Sequence, residues 1–173
     1  MASADPPPQF PRINKATADD VPRIESMITA AFTKYIERIG KPPAPMLADY
    51  DKLIQTHEVY VLQDTDESTN GSESTVRGSI VLESDDESNT LELSSLVVDP
   101  AAQGRGYGRL LIEFAEQRAR MQGRVALTLY TNVKMFENLG LYGKLGFVEV
   151  GRRVQDGYER AFFKKEISST TTA

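Results

Sequence analysis

Apolar residues follow two rhythms along the chain. Ile24, Met27, Ile28, Ala31, Phe32, Tyr35, Ile36 and Ile39 recur at helical spacing up to Gly40, so a single helix is predicted there. Asp19 or Asp20 can cap its start, with Pro22 in the first turn, where a missing amide costs nothing. The stretch "KPPAP" then breaks the chain, and a second helix is predicted from Met46 to about Gln55. Val59 to Gln63, Val76 to Glu83 and Thr90 to Val98 are β-rich runs bounded by turn residues, a meander of antiparallel strands. The acidic joins "DTDESTNGSEST" and "SDDESN" read as solvated loops. Arg12 to Ala16 is a candidate edge strand.

The pattern then changes. Leu110, Leu111, Phe114, Arg118 and Ala119 predict a helix that stops near Gly123. "RVALTLYT" is a buried-looking strand, "VKMFENLGLYGKLG" another helix, and Phe147 to Val154 and Tyr158 to Lys165 are strands about a "QDG" turn. The expected fold class is α/β: one mixed, mostly antiparallel sheet flanked by about four helices. The expected domain runs over 12–166. A Pro-rich leader (1–11) and a polar tail (167–173) are too poor in apolar residues to order by burial.

Composition narrows the chemistry. A net charge of −5 lacks the basic face that nucleic-acid phosphates require. With no cysteine and one histidine, His57, a thiolate site, a serine–histidine triad and a multi-histidine metal centre are all disfavoured, and no metal is expected. No run of about 18 apolar residues marks a membrane span, and no signal peptide opens the chain. The expected location is cytoplasmic, with a nucleocytoplasmic one as the alternative.

The candidate chemistry begins at the glycines of "VVDPAAQGRGYGRLLIEFAE" (97–116). A strand ending at Val98 passes through Asp99 and Pro100 into a helix starting near Gly108. Helix N-termini carry unpaired amides and partial positive charge, a site for phosphate. Gly104, Gly106 and Gly108 leave that backbone open, and Arg105 and Arg109 add charge. The spacing is neither a P-loop nor a dinucleotide fingerprint. A tight turn without a ligand is the alternative.

"QGRGYG" (103–108) after "LVVDP", with "LYTN" (129–132) and "NLGLYGKLGF" (138–147) downstream, resembles the acetyl-CoA-dependent N-acetyltransferases of the GNAT superfamily. The likeness covers 12–165 in element order, with its sharp motifs within 91–147. It implies a V-shaped split between the fourth and fifth strands. It also implies acetyl-CoA as co-substrate, its pyrophosphate on the amides of Gly104, Arg105, Gly106, Tyr107, Gly108 and Arg109, and its arm beside Leu96, Val97 and Val98. Tyr142 matches the tyrosine that protonates the departing thiolate; packing in the helix stripe with Met135 and Leu139 is the competing role. Asn138, one turn earlier, matches a residue that contacts the CoA arm, with helix capping as its alternative.

For the general base the residues leave a choice. Glu92 shares strand parity with Leu96 and Val98; Glu83 ends the preceding strand, and His57 has suitable chemistry but lies outside both motifs. Tyr35, Arg38 and Tyr50, with the region around Tyr130, are candidates to line the acceptor site; the alternative puts Tyr35 in the core stripe and Arg38 in solvent. The expected reaction is direct acetyl transfer from acetyl-CoA to a primary amine, first of a small molecule, alternatively of a protein N-terminus or lysine. A non-catalytic acyl-CoA-binding module on the same fold is the other reading. The partners implied are acetyl-CoA and an amine, with a homodimer left open.

Overall fold

The computed structural model describes residues 10–65, 70–71 and 73–168. The expected leader lies outside them except for its last two residues, as do most of the tail and part of the acidic loop at 64–75.

The strands are β1 (Arg12–Lys15), β2 (Glu58–Thr65), β3 (Ser74–Asp85), β4 (Thr90–Val98), β5 (Ala126–Asn132), β6 (Val148–Gln155) and β7 (Tyr158–Glu166). They form one sheet in the order β1-β2-β3-β4-β5-β7-β6. Every pairing is antiparallel except β4 with β5, which run parallel. The helices are α1 (Val21–Phe32), α2 (Tyr35–Ile39), α3 (Tyr50–Thr56), α4 (Tyr107–Met121) and α5 (Phe136–Lys144). The mixed sheet and its helical layers match the expected fold class, with one helix more than the periodicity indicated.

That extra helix arises because the first predicted helix is interrupted after Phe32. The Thr33 hydroxyl donates to the Thr29 carbonyl at 2.6 Å beside the Thr33 amide at 3.1 Å, a doubled bond at the end of α1. The second predicted helix also starts later than expected. Residues Ala44–Leu47 form a 3-10 turn, Ala48 is extended, and Asp49 accepts the Lys52 amide at 3.0 Å to cap α3. Prolines at 42, 43 and 45 deny the earlier segment its amide donors. Before α1 the Asp20 carboxylate reaches back to the Thr17 amide at 2.8 Å, closing a capping box one turn ahead of the helix.

Alternation sends the strands' side chains to two cores. On one face Leu62, Ile80, Leu82, Leu91, Leu93, Leu127, Leu129, Ala161 and Phe163 pack with α4 and with Tyr142 of α5. On the other, Val59, Val61, Val76, Val81 and Val97 pack with α1 and Tyr50 of α3. Each fully buried aliphatic side chain is worth about 1.5–3 kcal/mol of transfer free energy. By the same alternation Glu83, Glu92, Tyr130 and Arg160 face the α1/α3 side, across the sheet from Leu82, Leu91, Leu129 and Ala161.

A β-bulge complicates β4. Val81 pairs with Ser95 but Leu82 pairs with Leu93, leaving Ser94 as the extra residue. The inserted residue reverses the phase of the strand. Leu96 and Val98 therefore pack on the α4 side, and the shared parity with Glu92 read from the sequence does not hold: Glu92 faces the opposite side.

Candidate active site

Two strand edges separate beyond the bulge. The parallel register of β4 with β5 runs from Thr90/Ala126 to Leu93/Leu129 and ends there, so the chain from Ser94 to Val98 turns an edge toward an opening. The split expected between the fourth and fifth strands is present. On its α4 side lies a groove of about 450 Å³ lined by Leu96, Val97, Val98, Gly104, Gly106, Gly108 and Arg109, among others.

Asp99 anchors the loop that borders this groove. Its amide donates to the Arg77 carbonyl (2.8 Å), and its carboxylate accepts the Ala101 amide (3.0 Å) and pairs with Arg23 and, at 3.5 Å, with Arg77. Burial opposes the charge on Asp99, but the Ala101 amide and the guanidiniums outweigh it and hold its carboxyl below the usual range. Beyond this anchor Gly104 and Gly106 take φ of +84° and +80°, and a Cβ built on either would meet no atom within 4 Å. Both conformations favour glycine, and both positions border open space. Gly106 is the N-cap of α4 and no side chain caps that end; the first helical bond is Leu110 N–H to the Gly106 carbonyl at 3.1 Å. The amides before Leu110 thus have no partner inside the helix.

Side chains of the loop behave differently from its backbone. Tyr107 is buried, its hydroxyl donating to the Asp64 carboxylate of β2. Arg105 is tied to that same phenol and lies outside the groove lining, whereas Arg109 borders it.

On the other side of the sheet a second cavity, of about 270 Å³, is lined by residues of β3, β4, β5, β7, α3, α5 and the 43–48 segment. The two spaces share Phe32, Leu96, Asn138 and Tyr142. They meet at the split, beside the phenol.

Tyr142 is buried, with its ring centroid 5.9 Å from that of Phe147 and 5.7 Å from that of Phe163. Among the described residues its hydroxyl has no hydrogen-bond partner. Burial, with a smaller contribution from Tyr35, pushes the phenol up to about 12, so it keeps its proton at neutral pH. Asn138 donates Nδ2 to Thr131 Oγ1 at 3.4 Å and approaches Met135 Sδ at 3.7 Å. Packing and access to the split coexist at both residues.

All three residues considered for the base line the second cavity. Glu83 and Glu92 are cross-strand partners, and His57 Nε2 lies 3.2 Å from Glu83 Oε2. Burial raises Glu92 above the usual carboxylate range, the negative charges of Glu83 and Asp85 add to the effect, and Arg160 partly offsets it. Tyr130 lines the same cavity, with the Arg160 guanidinium 4.1 Å from its ring centroid. The 42–48 wall is held by the Tyr158 hydroxyl donating to the Pro42 carbonyl (2.6 Å) and the Tyr50 hydroxyl donating to the Pro45 carbonyl (3.2 Å).

The helix break carries Tyr35 and Arg38 away from this cavity. Tyr35 borders the glycine-side groove. Arg38 makes a two-pronged pair with Glu137 of α5 at 3.0 and 3.1 Å and donates to the Lys134 carbonyl at 3.0 Å, outside both linings. Sequence reasoning missed Arg160 and Tyr158. The available signal was the run Tyr158, Arg160, Phe162, which places a cation in the middle of an otherwise aromatic strand face.

The acetyltransferase (GNAT) family model matches residues 23–147. Over 77 residues, 44% of the chain, the protein is 39% identical to a mycothiol acetyltransferase of Jonesia denitrificans. Over a stretch of the same length it is 38% identical to an IAA acetyltransferase of Azospirillum brasilense. These matches span 24% and 50% of the two relatives' own lengths. The structure of a putative acetyltransferase, yncA of Salmonella typhimurium, with its cofactor acetyl-CoA, superposes at a TM-score of 0.64 with 19% identity, covering 95% of this chain and 98% of that one. With the match spanning both glycine motifs and most of the sheet, the chain belongs to the acetyltransferase (GNAT) family.

Proposed function

We propose that the protein transfers the acetyl group of acetyl-CoA directly to a primary amine of a small molecule. The observation that carries this reading is the meeting of two differently built spaces at Tyr142, one bordered by open backbone and the other by carboxylates. The uncapped end of α4 and the side-chain-free Gly104 and Gly106 suit a pyrophosphate. The edge of β4 beyond Leu93 suits an extended amide-bearing arm, which would add to it as a strand does.

Acetyl-CoA supplies an activated acyl group; the protein's residues supply positioning and proton transfer. An alkyl ammonium has a pKa of about 10.4 and cannot attack until it loses a proton. Glu92, raised above ordinary carboxylates, is a better matched acceptor of that proton than a fully exposed glutamate, directly or through water. Tyr142 keeps its own proton at neutral pH and gives it to the sulfur as the thiolate departs, and the proton that the attacking nitrogen loses as the adduct collapses to the amide restores the phenol.

A small acceptor is favoured over a protein segment because the 43–48 wall lines a cavity of only about 270 Å³. The test is thiol release from acetyl-CoA across a panel of small amines and short peptides, with the acetylated product identified by mass. Turnover of small amines is expected. Turnover confined to peptides overturns the acceptor class, and tight acetyl-CoA binding with no turnover by any amine overturns the transferase reading.

A further inference from the structure

Arg160 projects from β7 into the acceptor cavity and is only 5% exposed. A buried guanidinium normally satisfies its five donors. Here Nη1 donates to Gln155 Oε1 (3.1 Å) and to Asp156 Oδ2 (3.2 Å), both at the β6–β7 turn. Among the described residues Nε and Nη2 have no hydrogen-bond or ion-pair partner. They are also absent from the atoms sealed from solvent without a partner, so both remain reachable. The Asp156 carboxylate is 76% exposed, and water screens its attraction. Tyr130 and Tyr158 hold the guanidinium between them, with ring centroids 4.1 and 5.6 Å away.

The remaining charge in this cavity has the opposite sign. Glu83 and Glu92 border it through the neighbouring strands. One small space therefore presents carboxylates on β3 and β4 and an incompletely used guanidinium on β7. An acceptor with an amine alone would cover Nε and Nη2 and leave them dry and unpaired, at a cost that an anionic group avoids.

We infer that the acceptor is an amine that also carries a carboxylate, and that Arg160 receives the carboxylate through Nε and Nη2 while the amine lies toward Glu92. The inference rests on the acetyl-transfer reading above and adds the substrate class to it. Arg160 acts as a specificity-determining residue with no part in proton transfer, and planar two-point pairing is the geometry a guanidinium offers a carboxylate.

The experiment compares matched sets of amino acids, their carboxamides and the corresponding alkylamines, with kcat/KM expressed per free amine. The wild-type protein is expected to prefer carboxylates over carboxamides by about 10- to 100-fold, the range for hydrogen bonds to a charged group. Arg160→Gln should reduce that ratio to about 3-fold or less, and Arg160→Lys should restore part of it, since a lysine keeps the charge but loses the fork. The ratio is the readout because Arg160 also favours ionisation of Glu92, an effect common to all acceptors that cancels. A wild-type protein that turns over carboxamides as well as carboxylates overturns this inference alone. So does an Arg160→Gln loss equal for every acceptor, which marks a packing role. Absence of turnover with every acceptor overturns the transferase reading, and this inference falls with it.

Discussion

The groove and the acceptor cavity adjoin at Tyr142 but are made of different material. The groove is bordered in part by one continuous segment, the end of β4, the glycine loop and the first turn of α4, and otherwise by residues of α1, α2 and α5. The polarity of that continuous segment comes largely from peptide dipoles whose direction is fixed by secondary structure. The cavity is bordered by side chains from four strands, three helices and a proline-rich wall, and its polarity comes from ionisable groups whose charge depends on their neighbours. A backbone site recognises a feature common to all of a family's donors; a side-chain site can be rebuilt without disturbing it. Substitutions at the junction, in the groove and in the cavity should thus fail in different ways.

The largest effect is expected at the junction. Tyr142→Phe should lower kcat by about 10²–10³-fold, the scale of losing a positioned acid. The acetyl-CoA Kd should stay within about 2-fold, since the backbone amides assigned to the pyrophosphate are untouched. Steady-state and single-turnover kinetics separate chemistry from product release. An unchanged single-turnover rate would reduce Tyr142 to the aromatic packing it shares with Phe147 and Phe163.

Two glycines sharpen the contrast between binding and packing. A Cβ on Gly106 meets nothing within 4 Å, whereas a Cβ on Gly78 of β3 would come 3.1 Å from the Val97 carbonyl oxygen and 3.1 Å from Leu111. Gly106→Val should raise the acetyl-CoA Kd by about 10- to 100-fold through exclusion of charged hydrogen bonds. The positive φ adds about 1–3 kcal/mol of strain to that variant. Gly78→Val should cost about 1–3 kcal/mol of stability from overpacking, with the Kd little changed in the folded fraction. Calorimetric titration and thermal unfolding measured on both variants read the two effects separately. Equal loss of affinity in both variants would mean that Gly106 acts through the fold and has no direct part in holding the pyrophosphate.

The same difference in material explains what the amino-acid sequence disclosed. The order of elements along the chain and the glycine loop were legible because each is local: alternation, turn residues and a glycine run need no distant partner. The split was expected from the resemblance of the motifs. Val97, Gly106 and Tyr142 could be placed from the resemblance of their motifs alone. Arg160 could not, because its importance comes from Tyr130, Glu92 and the 43–48 wall, which meet only after the sheet closes. The phase of Glu92 was misread for a single reason. Ser94 is an extra residue in β4, and side-chain parity cannot be carried through a bulge. Tyr35 and Arg38 lie outside the cavity lining because the helix breaks after Phe32, where Thr33 bonds the Thr29 carbonyl through both its amide and its hydroxyl, a break that apolar spacing does not report.

In the cavity, pH is the probe that side-chain polarity invites. Glu92 is raised first by burial and then by Glu83 and Asp85. As the base, it must be ionised, so kcat/KM should fall on the acid side at a pH above the ordinary glutamate range. Glu83→Gln removes the nearest of those negative charges and should move this acid limb to lower pH. It also removes the partner of His57. A limb that stays in place would mean that another group governs it.

The smallest effect expected is on stability, and its sign is the opposite of the effect on activity. A carboxyl whose folded pKa lies above its unfolded value adds stability below the unfolded pKa and loses it as pH rises through the folded one. Glu92 is such a group, so at neutral pH its ionised form weighs against the fold, and the cross-strand Glu83 adds to that weight. Glu92→Gln keeps the side-chain shape and removes the charge. The variant should therefore unfold at the same or a higher temperature than the wild type near neutral pH, and the gap should close as pH falls toward about 4, where both forms are uncharged. Thermal unfolding at several pH values checks this. A variant less stable than the wild type at neutral pH would show that Arg160 stabilises the carboxylate more than burial and its acidic neighbours oppose it, and Glu92 would then be too weak a base for the role given to it. Loss of turnover together with a gain in neutral-pH stability would mark a carboxylate retained for chemistry at the expense of the fold.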